Sequence, residues 1–217
     1  MKTVENNKES IKGKFDDFYK DGKSHWNFDT QSPLHILKQK SIEPFLIESK
    51  NILDLGCAEG NFLSSIVKSS VNAVGVDISE TAISLAKEKN FYKELYVCYI
   101  DDSEKYTKNI KSYDLILLNE VLYYVDNYIE VLENILKLSS KYLFMSLAMG
   151  PQFFNEKDID KIENLLKKYD YKLRKKELYN MSYKFGIPVR YLTKVYEVFR
   201  GIKLKQTHKY IYIYEKN

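Results

Sequence analysis

Residues 51–63 read Asn51-Ile-Leu-Asp-Leu-Gly-Cys-Ala-Glu-Gly-Asn-Phe-Leu63. An apolar run from Ile52 to Leu55 stops at Gly56, and Gly60 follows four residues later. Phe62, Leu63, Ile66 and Val67 then recur at helical spacing. A strand, a glycine loop and a helix in this order form the first half of a nucleotide-binding βαβ unit. A second apolar run, Val71 to Val76, ends at Asp77, 21 positions beyond Gly56. An acid about 20 residues past the loop is where such folds place a carboxylate on the ribose hydroxyls of an adenosine ligand.

A dinucleotide fingerprint, G-x-G-x-x-G, fits poorly, because counting from Gly56 its second and third glycines fall on Ala58 and Asn61. Acid-x-Gly-x-x-x-Gly fits, with Asp54, Gly56 and Gly60. Here the chain resembles the class I S-adenosylmethionine (SAM) dependent methyltransferases, whose first motif is written (D/E)-x-G-x-G-x-G. Ala58 replaces the middle glycine and keeps most of the room for a ligand. The resemblance implies SAM as cofactor, S-adenosylhomocysteine as product, and a loop lying against the methionyl part of the ligand. It also implies a Rossmann-like doubly wound sheet of seven mostly parallel strands, the last antiparallel and inserted between the fifth and sixth.

With 217 residues, 44% hydrophobic and 29% charged, the chain has the composition of an ordinary soluble protein and is expected to form one domain, or one domain with an attached cap. A net charge of +4 gives no ground for nucleic-acid binding, and no Asp/Asn-Pro-Pro-aromatic motif follows the fourth predicted strand. Cys57 and Cys98 lack metal-ligand spacing, so no metal is expected and a reducing cytoplasm is the default. The polar first 14 residues are unlike a signal peptide, and no apolar run approaches the ~20 residues of a membrane span. A homodimer is compatible with the chain.

Residues 1–45 read as a lead-in and lid, of which 1–14 are a solvated segment without periodicity. A helix is expected from Pro33 to about Glu43, with Pro44 as its stop. Trp26 reads either as a lid over the cofactor or as a pin between the amino-terminal helix and the sheet. His25 beside it titrates near neutral pH when unperturbed. The methyltransferase domain then fills residues 46–217. Its helices are expected over Ser79–Asn90, Asp126–Ser139 and from Asn155, and its strands over 95–100, 113–119, 142–148, 171–178 and 210–214.

Strand ends on the carboxyl side of such a sheet carry ligands and chemistry. The family resemblance assigns Asp77 and Ile78 to the cofactor, and Asp101 or Asp102 to the adenine amino group. Asn119, Glu120, Tyr123 and Tyr124, after the fourth strand, fall near the transferred methyl. The run Glu120-Val-Leu-Tyr-Tyr124, with Trp26-Asn-Phe28 upstream, is similar to the nodulation-type N-methyltransferases of sugar amines. An alcohol acceptor needs a general base, and Glu120, His25, Tyr124 and His208 are the candidates. Residues 179–207 interleave aromatic and basic side chains. They read as an acceptor-selecting insertion, with Arg190 and Arg200 gripping a phosphate, or as a basic amphipathic helix. The expected activity is O-methylation of a sugar or nucleotide-linked sugar. N-methylation of an amino sugar and a non-catalytic SAM-binding regulator are the alternatives.

Overall fold

Apolar residues run almost unbroken along the central strands, so both faces of one sheet are buried. The computed structural model describes residues 2–20, 30–67, 71–107, 112–150, 153–180 and 208–217. In chain order the elements are α1 (Lys2–Tyr19), α2 (Pro33–Leu46), β1 (Asn51–Leu55), α3 (Asn61–Ile66), β2 (Asn72–Asp77), α4 (Glu80–Glu88) and β3 (Glu94–Val97). There follow α5 (Ser103–Tyr106), β4 (Ser112–Asn119), a 3-10 turn (Leu122–Tyr124), α6 (Tyr128–Leu136), β5 (Ser139–Met149), α7 (Glu156–Lys168), β6 (Tyr171–Asn180) and β7 (His208–Lys216).

The strand order is β3-β2-β1-β4-β5-β7-β6. The first five strands in that order are parallel, and β7 runs antiparallel to both β5 and β6. This is the expected doubly wound sheet with its last strand inserted. Period-two alternation splits the core into two layers. Leu53, Ile116, Leu143 and Tyr212 face one side with Leu132 of α6 and Leu166 of α7. Ile52, Leu117, Phe144 and Ile211 face the other with Ile42 of α2 and Leu63 of α3. Asn155 caps α7 with a full capping box, its side chain accepting from the Asp158 amide while Asp158 accepts from the Asn155 amide.

Two expectations fail at the amino terminus. Residues 2–14 belong to helix α1 and are not a frayed lead-in. The apolar stripe of α1, Ile11, Phe15, Phe18 and Tyr19, has helical i, i+4, i+7, i+8 spacing that a boundary at residue 14 cuts in two. Asp16 fastens α1 to the first turn of α4, where its Oδ1 accepts from the Ser79 hydroxyl at 2.8 Å, and Lys12 pairs with Glu80 at 2.6 Å. Pro44 does not end α2, which runs on to Leu46. Burial of Ile42 and Leu46 on either side of it offsets the one helical hydrogen bond a proline forfeits. Smaller shifts affect β3, which is confined to Glu94–Val97, and α6, which starts only after the 3-10 turn.

Candidate active site

The carboxyl ends of β1, β2 and β4, and the turn after β3, open on a cavity of about 930 Å³, walled on its outer side by α1 and α2. Asp54, Gly56, Ala58, Asp77, Ile78, Asp101, Asn119, Glu120, Tyr123 and Tyr124 all line it. Gly60 is not a lining residue; it stands at the start of α3 with φ +75°. Asp102 turns to Lys105 at 2.8 Å, so of the two acids after β3 only Asp101 meets the cavity. Trp26, His25, Arg190 and Arg200 lie outside the described residues. His208 begins β7 and is not among the lining residues.

One end of the cavity is built of carboxylates under the glycine loop. The loop closes tightly: the amides of Gly56 and Cys57 both donate to the Val76 carbonyl, at 2.8 and 3.0 Å. A Cβ on Gly56, which has φ +75°, would come within 2.5 Å of Val121 Cγ2, so only glycine fits. Ala58 also adopts a left-handed backbone, φ +51°, and its amide donates to Asp77 Oδ2 at 2.8 Å. The other Asp77 oxygen accepts from the Ser79 amide at 2.9 Å. Burial raises the Asp77 carboxyl above its ordinary range, against these amide bonds. Asp54 is 2% exposed and accepts from the Tyr92 hydroxyl at 2.6 Å. Burial pushes it up to about 7, with the Tyr92 bond opposing and the Asp77 charge adding. Glu59, in the loop itself, is 5% exposed; its Oε1 accepts from Asn61, while its buried Oε2 has no hydrogen-bond partner.

The opposite end is built of lysines. β4 delivers Asn119 and Glu120 to the cavity, and Glu120 takes a left-handed backbone, φ +60°. For a non-glycine residue this conformation costs roughly 1–2 kcal/mol. Lys38 of α2 donates to Asn119 Oδ1 at 2.8 Å and pairs with Glu120 Oε1. Lys209 of β7 pairs with Glu120 Oε2. Burial drives the Glu120 carboxyl upward, but the two ammonium groups outweigh it and hold the group at about 2. Burial lowers Lys38, with the Glu120 charge opposing. A general-base role for Glu120 therefore does not fit the geometry: it is a locked carboxylate with both oxygens engaged. Tyr124 fits that role no better, because burial raises its hydroxyl further above neutrality. Above the lysines stands an aromatic wall. Tyr123 meets Phe153 edge-on at 5.1 Å, and Phe15 of α1 meets Tyr124 edge-on at 5.3 Å.

Lys38, Lys209 and Glu59 escaped the sequence reading, although each left a trace. Lys38 sits on the buried stripe of α2, in the four-residue series Leu34, Lys38, Ile42, Leu46. Lys209 falls in period-two register with Ile211 and Ile213 of β7. A charge at a core-facing position is rarely placed there without a partner. Among the described residues, no group of three His, Cys, Asp or Glu side chains is placed to hold a metal ion. Nor is any described helix long and apolar enough to cross a membrane.

A family described as a methyltransferase domain matches residues 33–149, from the start of α2 to the end of β5. The ubiquinone biosynthesis O-methyltransferase of Coxiella burnetii is 29% identical over 143 residues, which span 62% of this chain and 60% of that protein. Among solved structures, magnesium protoporphyrin IX methyltransferase from Synechocystis PCC 6803 with bound SAH superposes with a TM-score of 0.66 at 12% identity, covering 97% of this chain and 100% of the other. The cyclase SpnF superposes with a TM-score of 0.58 at 12% identity, covering 88% and 85%. Likeness at such identities shows the fold alone, and a cyclase beside a methyltransferase illustrates that one fold hosts different reactions.

Proposed function

The chain belongs to the methyltransferase-domain family, and we propose that it transfers the methyl group of SAM to an oxygen of a small acceptor. The observation that carries this reading is the polarity of one continuous cavity, with carboxylates under the glycine loop and lysines beneath an aromatic wall. The carboxylate end suits SAM on the chemistry of its groups. Lone pairs on Asp77 not taken by amides are available to ribose hydroxyls, and Asp101, which lines the same cavity, is the candidate for the adenine amino group. The unpartnered Oε2 of buried Glu59 supplies an acceptor for the ammonium of the methionyl part. Bound there, the cofactor supplies an electrophilic methyl carbon on a sulfonium. What the protein adds is alignment of the acceptor and exclusion of water, a proximity effect of up to ~7–11 kcal/mol in model systems.

Sugar or nucleotide-linked sugar as the acceptor is the narrower reading of the sequence. Its basis, the basic segment with Arg190 and Arg200, falls outside the described residues. The aromatic wall formed by Phe15, Tyr123, Tyr124 and Phe153 supports a planar acceptor instead. In the same direction, the matched relative is named for a quinone pathway and the structural neighbour for a porphyrin.

The test is calorimetric titration of the protein with SAM and SAH, followed by SAH release assayed over planar hydroxy-aromatic and sugar acceptors. Binding of both, weakened at least ~10-fold in Asp77→Ala, is expected. A folded protein that binds neither would sink the methyltransferase reading. Binding without turnover on any acceptor would favour a non-catalytic SAM-binding protein.

A further inference from the structure

We propose that the acceptor is bound and methylated as an oxyanion, the ionised form of an acidic hydroxyl or a carboxyl, received by the ammonium groups of Lys209 and Lys38. This rests on the methyltransferase reading and deepens it by naming the substrate class.

The argument begins with charge. Two lysines share Glu120, and among the described residues it is the one carboxylate paired with either of them. Their side chains are only 7% and 16% exposed, so this cluster carries one net positive charge largely shielded from water. A buried charge in excess is expensive unless something of opposite sign is brought to it. Glu120 is strained into a left-handed conformation at the strand end where it reaches both ammonium groups, and strain of this kind concentrates at functional positions. Place comes second. The cofactor carboxylates hang from β1, β2 and the turn after β3, whereas Lys209 reaches in from β7, beyond β4 and β5 in the sheet. Lys38 and Lys209 thus hold the side of the cavity away from Asp77, where the Tyr123 hydroxyl also reaches Glu120. The third consideration is chemistry. Neither Glu120 nor Tyr124 is poised to take a proton, and the lining histidine His35 has its Nε2 turned to the Ser65 hydroxyl at 3.3 Å, whereas an acceptor that arrives ionised needs no base.

On this reading the acceptor gives up its proton to solvent water as it enters, because its anion is the form the lysines stabilise. The oxyanion lone pair then attacks the methyl carbon. A carbon–oxygen bond forms as the carbon–sulfur bond breaks, and the displaced electron pair remains on sulfur, which becomes the neutral thioether of SAH. The negative charge of the acceptor and the positive charge of the sulfonium are consumed together. Lys38 and Lys209 keep their protons throughout, and Glu120 remains their shared counter-charge.

The experiment measures binding to the SAH-loaded protein of three probes of similar shape: benzoate, its neutral counterpart benzamide, and 4-nitrophenol, whose absorbance distinguishes phenolate from phenol. Wild type is expected to prefer at least one anion, benzoate over benzamide or nitrophenolate over nitrophenol, by ~10-fold or more. The preferred anion identifies the acceptor as a carboxylate or an acidic hydroxyl. Lys209→Met should weaken the preferred anion ~10-fold and leave benzamide unchanged, whereas Glu120→Gln, which raises the local net charge, should tighten it several-fold. SAH affinity should stay within ~2-fold in both variants. These opposite signs separate an electrostatic role from a merely structural one, which would weaken binding in both variants. Equal binding of charged and neutral probes, or weakening of the anion by Glu120→Gln, would overturn the inference while SAH binding upheld the methyltransferase reading. So would a Lys209→Met variant that loses SAH and not the anion, since the lysines would then serve the cofactor's own carboxylate. Failure of the wild type to bind SAH would take both readings down.

Discussion

The two ends of the cavity are made of the same kind of material, buried ionisable side chains at strand ends, but they are assembled in opposite ways. At the carboxylate end, Asp54 and Asp77 belong to neighbouring strands of one βαβ unit, and their carboxyls crowd each other under the loop. At the lysine end, Lys38, Glu120 and Lys209 come from α2, β4 and β7, with partners 82 and 89 residues apart. Like charges gathered locally are left in search of a cation; unlike charges gathered from afar offset each other down to a single excess positive charge. Removing a charge should therefore have opposite consequences at the two ends.

The largest effect is expected at the lysine end. Glu120→Ala leaves the ammonium of Lys38 buried without its carboxylate, and breaking a buried pair in this way typically costs ~3–5 kcal/mol. Urea denaturation at neutral pH measures it, and a loss below ~1 kcal/mol would mean that the cluster is far wetter than the contacts describe.

The matching substitution at the carboxylate end, Asp54→Asn, should stabilise the ligand-free protein at pH 8. The sign follows from the raised carboxyl: the native state retains a proton that the unfolded chain releases above its ordinary range. Wild-type stability should accordingly decline as pH rises from about 4 to about 7, with this group contributing up to about 1.4 kcal/mol per pH unit. Asp54→Asn should flatten that decline. Parallel pH profiles for variant and wild type would contradict the account of Asp54.

A smaller effect belongs to Glu59→Gln, which keeps the bond from Asn61 on its oxygen but removes the charge facing the cavity. SAM affinity should fall ~10-fold with little change in unfolding free energy. Unchanged affinity would show that the bare oxygen serves no ligand cation. Smallest of all, Ala58→Gly relieves a left-handed alanine at φ +51° and should add about 0.5–1 kcal/mol of stability. A destabilised Ala58→Gly protein would show that the loop relies on the methyl group for packing.

The same contrast explains what could be read from the sequence. Gly56, Gly60 and Asp77 announce the carboxylate end because their spacing is fixed by local backbone geometry: a tight turn, a helix start and the next strand end. The unbroken apolar run Leu115 to Leu118 and the alternation of Tyr210 to Tyr214 likewise point to the sheet, the first as a strand buried on both faces and the second by its period of two. Spacing cannot report that Lys38 and Lys209 meet over Glu120, because that meeting depends on the sheet order and on the direction of β7. The inserted antiparallel strand was expected, and with it the fact that the start of β7 lies on the ligand side. Of the two residues that open β7, Lys209 lines the cavity and His208 does not, a distinction that the sequence pattern leaves open. Asp101 and Asp102 were indistinguishable for a simpler reason: adjacent residues differ in direction, and direction is settled by the turn that Lys105 helps to hold. The helix α1 was missed because a boundary drawn on composition cut across its apolar stripe.

The antiparallel placement of β7 also has a meaning in the order of synthesis. The strands that carry Asp54 and Asp77, and the turn after β3 that carries Asp101, leave the ribosome early. Lys209 emerges long after them and must enter between β5 and β6, two strands already made. The growing chain thus possesses the carboxylates of its cofactor end well before it possesses the full acceptor end. Until β7 is seated, β5 and β6 lack the strand that joins them, and Glu120 has the ammonium of Lys38 without that of Lys209.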